Sequence, residues 1–276
     1  MDFLRLLSGT YGTENTKQDP QQSVLTQYPL FGLIALFVMF LLTQIRVFTH
    51  GACEEGEFEP GFFRKQVVVD GKSYCSVVYV PPTYDPSQAM PLIVSLHGRG
   101  EAGYDGYAHT TVGVGTSIRN HPEVYSECIV VMPQFPWEGS HEEWFKVADA
   151  AIADVVANYT IDEDRISLTG LSFGAENVWL YAAQRPGVFA ALMPIASGIS
   201  SQIDPADYLD IPIWVFHGAQ DFVAPPQPVR DLVQAIQDGG GDVLYTEFPE
   251  YTHFIWNFVY QDPVNIDWLI SQDRNS

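Results

Sequence analysis

Thr169-Gly170-Leu171-Ser172-Phe173-Gly174 stands at the join between an apolar, β-branched run, residues 165–169, and a helical pattern, residues 175–184. A serine held between two glycines at a strand-to-helix turn is a nucleophile elbow. The turn is so tight that the residues flanking the serine must be small, and glycine also tolerates the dihedrals involved. The serine oxygen then stands free beside the first N–H groups of a helix, which favour negative charge. Small residues cluster by chance in many loops. The placement between a strand and a helix is what makes Ser172 a candidate nucleophile.

Outward from this turn, strand and helix patterns alternate. Downstream, residues 189–196 and 211–216 are short buried runs. Residues 225–237 read as a helix stopped by Gly239-Gly240-Gly241, 243–248 as the last strand and 266–270 as a closing helix. Upstream, 146–159 has helical spacing, and 91–96 and 128–132 are apolar runs of strand length. Residues 65–69 and 72–80 flank Asp70-Gly71, which reads as a two-residue hairpin turn. Such alternation predicts an α/β domain, with a mostly parallel central sheet and helices on both faces, over residues 62–276.

A serine hydroxyl needs a base to take its proton, and the base needs a partner to orient it. Asp221 and His253 both follow predicted strands, at the carboxyl edge where open α/β sheets carry their sites. The order Ser172, Asp221, His253 is that of α/β-hydrolases, and not of chymotrypsin-like or subtilisin-like enzymes. Asp231 and Glu247 sit inside elements and are disfavoured by geometry, while His217 is expected to brace a strand end. The loop His97-Gly98-Arg99-Gly100 should supply one oxyanion donor, the backbone N–H of Arg99, and the residue after the nucleophile, Phe173, the other.

Two stretches imitate other chemistries. Gly98-x-Gly100-x-x-Gly103 spells a dinucleotide fingerprint, but Gly106 and the run 110–115 follow it where a helix should start. His141-Glu142-Glu143-Trp144-Phe145 begins like a zinc-protease helix and lacks the second histidine. Neither a cofactor nor a metal is expected.

From about residue 62 to its end the chain resembles the α/β-hydrolase esterases grouped as PHB-depolymerase-like or feruloyl-esterase-like enzymes, often labelled predicted peptidases. The likeness is carried by residues 96–101 (Leu-His-Gly-Arg-Gly-Glu), Met132-Pro133-Gln134 and residues 164–174 around the elbow. Residues 214–221, ending in His217-Gly218-Ala219-Gln220-Asp221, and Thr252-His253-Phe254-Ile255-Trp256-Asn257 complete it. The resemblance implies an α/β-hydrolase fold, with Ser172 as nucleophile, Asp221 as acid and His253 as base. Phe173 departs from the methionine usual in such relatives; its N–H is unaffected, but the ring reshapes the acyl side of the site.

The expected activity is therefore hydrolysis of carboxylic esters through an acyl-enzyme. A peptidase with the same triad and a non-catalytic binding protein on the same scaffold are the alternatives. Trp137, Trp144 and Trp256 are the candidate substrate-binding residues, because aromatics crowd the loop after residue 132 and flank the proposed base. Aromatics in a loop also serve to pack it down. As a cleft wall they would suit short-acyl or aryl esters, including hydroxycinnamate esters of carbohydrates.

The net charge of −21 excludes a basic nucleic-acid footprint and disfavours adsorption to anionic lipid. Residues 1–23 are polar and mixed in charge, and 46–61 form an acidic linker. Between them, residues 24–45 carry no charge and are long enough to span a bilayer core at about 1.5 Å per residue. One transmembrane helix with the catalytic domain on the extracytoplasmic side is the expectation, with secretion after signal-peptide cleavage as the alternative. Cys53, Cys75 and Cys128 have no metal-ligand spacing and leave either one disulfide with a free thiol or three thiols.

Overall fold

A computed structural model describes residues 53–275. Its strands are β1 (Gly56–Glu59), β2 (Phe62–Val69), β3 (Lys72–Tyr79), β4 (Met90–Leu96), β5 (Ile129–Pro133), β6 (Ile161–Leu171), β7 (Ala191–Ile195), β8 (Ile213–Gly218) and β9 (Val243–Phe248). Its α-helices are α1 (Val114–Asn120), α2 (His141–Asn158), α3 (Phe173–Gln184), α4 (Pro226–Asp238), α5 (Trp256–Gln261) and α6 (Pro263–Ser271). The strands make one 9-stranded sheet in the order β1-β2-β3-β5-β4-β6-β7-β8-β9. From β5 across to β9 all pairings are parallel, and β1, β2 and β3 add an antiparallel margin.

The central strands read as unbroken apolar runs because both faces of the sheet are covered. Successive side chains point to opposite faces. Leu92, Val94, Ile129, Val131 and Leu168 join one buried cluster with Trp144, Val155, Val178 and Val233 from α2, α3 and α4. Ile93, Val130, Met132, Met193 and Ile195 join the other, with Ile118, Val259, Ile266 and Leu269 from α1, α5 and α6.

The hairpin closes as its turn residues require. Val69 pairs with Lys72, and Asp70 and Gly71 both take positive φ. Helix α2 starts at His141, five residues before the spacing of its apolar positions suggests, because Ser140 caps it by accepting the Glu143 N–H at 3.2 Å.

Three features depart from the sequence reading. The acidic stretch 46–61 is not all linker: Gly56–Glu59 is an edge strand paired with β2, and a disulfide from Cys53, three residues before it, to Cys75 ties the stretch to β3. Of the two cysteine arrangements left open by the sequence, the structure has one disulfide with a free thiol, and Cys128 is that buried thiol. Helix α1 begins inside the glycine-containing run 110–115, and α5 occupies a stretch given no element. Both are short and lie against the second cluster, so their stability comes from burial more than from local propensity. The polar segment 1–23 and the proposed membrane span 24–45 lie outside the described residues. Among the described residues no helix is long and apolar enough to cross a membrane.

Candidate active site

Strands β4 and β6 are parallel neighbours, and Leu96 at the end of one pairs with Gly170 at the end of the other. The chain runs from β4 to β5 on one side and returns to β6 on the other, which opens a crevice at their carboxyl ends. The turn after β6 carries Ser172 and the turn after β4 carries His97 to Glu101.

Ser172 adopts φ 54° and ψ −119°, a conformation rare for a residue with a side chain. Its N–H donates to the Ile195 carbonyl at 2.9 Å, which holds the turn against β7. The two glycines are there for space. A Cβ on Gly170 would lie 2.6 Å from the Gly174 carbonyl oxygen, and one on Gly174 would lie 2.2 Å from that of Leu96.

The predicted trio meets. His253 Nε2 lies 2.8 Å from Ser172 Oγ, and His253 Nδ1 lies 2.7 Å from Asp221 Oδ2. An ionised Asp221 can only accept, so Nδ1 carries the proton and Nε2 accepts from the serine hydroxyl. Asp221 and His253 are each 4% exposed. Burial pushes the Asp221 carboxyl up, but hydrogen bonds from His217, His253 and the Ala224 N–H outweigh it and hold the group well below the usual carboxylate range. The second oxygen, Oδ1, accepts the Val223 and Ala224 N–H groups, both at 2.8 Å. His217 sits where it was expected, at the end of β8, with Nε2 2.9 Å from the Ala224 carbonyl and 3.3 Å from Asp221 Oδ2.

Arg99 and Phe173 each open a helical segment, the 3₁₀ turn Arg99–Glu101 and α3 respectively. The first N–H groups of a helix have no partner within it, so both are available to an oxyanion. The Arg99 guanidinium lies over the Phe173 ring at 4.1 Å and 5.7 Å from Trp137.

Of the three tryptophans, Trp137 and Trp144 line a pocket with Arg99, Phe135 and Phe173, and Trp144 meets Phe173 edge-on at 5.3 Å. Trp256 does not line it. Its ring packs edge-on against His253 at 5.5 Å and is otherwise buried in the second cluster, where it buttresses the imidazole. A larger open depression, with Pro91, His121, Arg165 and Asp267 in its wall, lies toward the amino ends of β4 and β6, away from Ser172.

Three residues went without a role in the sequence reading. Gln134 is fully buried, donates to the Glu101 carbonyl at 3.2 Å and to Asp105 at 3.0 Å, and accepts the Gly106 N–H at 2.8 Å. His97 is buried between the loops after β4 and β5, and burial holds its imidazole down to about 4. Glu101 lies beneath Gly98, and burial raises its carboxyl to about 7 against the pull of the N–H groups of Glu101 and Gly98. All three stand in the quoted motifs; their partners lie across loops, where no sequence period reports them.

Residues 106–262 match the family model of the dienelactone hydrolase family, more than half of the chain. The chain belongs to the dienelactone hydrolase family. The matched stretch takes in Ser172, Asp221 and His253 and begins after the His97–Glu101 turn. Among curated proteins, the chain is 28% identical over 164 residues to "Probable feruloyl esterase C" of Aspergillus terreus, covering 57% of each. It is 31% identical over 134 residues to poly(3-hydroxyalkanoate) depolymerase C of Paucimonas lemoignei, covering 42% of this chain and 30% of that one. A solved thermostable esterase superposes with a TM-score of 0.67 at 31% identity, over 77% of this chain and 63% of the other. The chain thus spans little more than half the length of the first of these curated relatives, and less of the second. The family match and the superposition bear out the α/β-hydrolase fold and the resemblance to its esterases.

Proposed function

We propose that this member of the dienelactone hydrolase family is a carboxylic-ester hydrolase that works through Ser172, His253 and Asp221. The observation that carries this is the continuous chain of short hydrogen bonds from Ser172 Oγ through His253 to Asp221, at 2.8 and 2.7 Å. Ser172 Oγ attacks the ester carbonyl while its proton passes to His253 Nε2. The oxyanion that forms lies against the Arg99 and Phe173 N–H groups, and each such donor lowers the barrier by about 3 kcal/mol. Collapse expels the alcohol, which takes the proton from His253. Water then attacks the acyl carbonyl while giving a proton to the same nitrogen, and the second collapse releases the acid as Ser172 Oγ takes that proton back. Asp221 keeps the imidazole in the required tautomer throughout. Protons and electrons balance over the cycle without a cofactor.

Esters are favoured over amides because an alkoxide leaves without the full protonation an amine needs. The names of the relatives, esterase and depolymerase, point the same way. The aromatic side chains of Phe135, Trp137, Trp144 and Phe173 gather in one wall beside the elbow, and on that wall the proposed substrates are short-acyl or aryl esters, hydroxycinnamate esters of carbohydrates among them. The test compares kcat/KM for such esters with that for peptides, using Ser172→Ala as the control. The ester should win by orders of magnitude, and Ser172→Ala should lower kcat about 10³-fold or more. A peptide bond cleaved as fast as the best ester would promote a peptidase. Near-normal activity in Ser172→Ala would end the serine mechanism.

A further inference from the structure

The turn that carries Arg99 is held at Gly98 by two residues. Phe135 donates its N–H to His97 Nε2 at 2.9 Å. A backbone N–H can only donate, so Nε2 is bare and the imidazole proton sits on Nδ1. That proton points to the Gly98 carbonyl oxygen, 2.6 Å from Nδ1. The Gly98 carbonyl and the Arg99 N–H belong to one planar trans peptide and face in opposite directions. Anchoring the carbonyl therefore sets where the Arg99 N–H points.

Gly98 is also held from the other side. The Glu101 N–H donates to the Gly98 carbonyl oxygen at 3.4 Å, and the Glu101 carboxyl group lies against Gly98. The carboxyl group approaches so closely that a Cβ on Gly98 would meet Glu101 Oε2 at 2.8 Å, and Leu171 Cδ1 at the same distance. No ion pair among the described residues draws Glu101 elsewhere. Gln134 fixes the Glu101 carbonyl at 3.2 Å, which prevents the carboxylate from drifting with its backbone.

We propose that His97 and Glu101 are positioning residues that clamp the turn at Gly98 and so aim the Arg99 N–H at the oxyanion. Neither touches substrate. The inference rests on the esterase reading above. A flexible turn would leave the N–H to reorient during each turnover, whereas a clamped one stabilises the developing charge without that cost. The clamp acts on the tetrahedral state alone, since a planar carbonyl draws little on the donor.

The experiment uses the full chain, with active sites counted by the endpoint of fluorophosphonate labelling. Glu101→Ala should lower kcat about 10²-fold and His97→Gln about tenfold, both with little change in KM. Glu101→Gln keeps a side-chain oxygen against Gly98 and should stay within about fivefold of the parent. Affinity for a trifluoromethyl ketone, which forms an oxyanion on the serine, should fall in step with kcat. Affinity for the planar carboxylic acid product should not change. A merely structural role would lower the fraction of active sites and leave the ratio of these two affinities alone. An unchanged ratio in either Glu101→Ala or His97→Gln overturns the clamp, and because the two residues hold Gly98 from different sides each variant tests it alone. A parent chain that labels and hydrolyses esters while its variants keep that ratio leaves the esterase reading standing without the clamp. A parent chain that does neither overturns both.

Discussion

Histidines of this domain are sorted by what surrounds them. His253 has a carboxylate on one nitrogen and a hydroxyl on the other, whereas His97 and His109 are buried against backbone groups. Burial holds His97 down to about 4 and His109 to about 3. Both folded values lie below the 6.5 of the free side chain. Each histidine therefore contributes stability that is fully present above about pH 6.5 and is lost as the pH falls toward those values. Glu101 works in the opposite sense. Its raised folded value gives a contribution present below pH 4.5, the ordinary value, and lost as the pH rises through about 7. Between about pH 4.5 and 6.5 the unfolded chain gains two protons at the histidines and the folded chain keeps one at Glu101. Replacing His109 by Phe should thus reduce the pH slope of unfolding free energy in that window by about one proton, whatever its effect on absolute stability. Urea unfolding at several pH values measures this. A slope equal to that of the parent would mean that His109 titrates normally.

At the scale of elements, the site is a meeting of turns, and the distance between β4 and β6 sets its tolerance. Helix α3 comes so close to the end of β4 that Gly174 leaves no room for a methyl group against the Leu96 and His97 carbonyls. These are backbone atoms and cannot swing aside. Gly174→Ala should therefore cost on the order of 4 kcal/mol and leave little folded protein. Gly100, in the neighbouring turn, has nothing within 4 Å of a built Cβ. Gly100→Ala should stay within about 1 kcal/mol of the parent. Melting temperatures of the two variants check the pair. Equal stabilities would show that the elbow can relax away from β4, against the close backbone contact at Gly174.

For the whole molecule, the expectation drawn from residues 24–45 is a membrane tether. The full chain should remain with the membrane fraction in high salt, because salt screens electrostatic adsorption but does not extract a spanning helix. A chain beginning at Cys53 should be recovered in the soluble fraction with its disulfide to Cys75. Starting at Phe62 instead would remove β1 and Cys53, and the edge of β2 would be left unpaired. Full-length protein recovered intact in the soluble fraction would rule out the tether.

Much of this was legible in the residues taken alone. Strand and helix periods, Asp70-Gly71 and the glycines around Ser172 are local signals, set by backbone sterics and by which faces are apolar. The same local reading placed Asp221 and His253 after strands, since strand ends are where runs of apolar residues stop. Other features needed the folded chain. An edge strand of Gly56–Glu59 is too short and too acidic to declare itself, and exists because β2 offers a free edge. Trp256 beside the proposed base reads like a cleft residue, yet its ring is buried edge-on against His253. His97, Glu101 and Gln134 found partners across loops, through contacts that depend on how β4, β5 and β6 lie together. Local chemistry is written in adjacent residues, while the aim of a single N–H depends on groups that only the sheet brings within hydrogen-bonding distance.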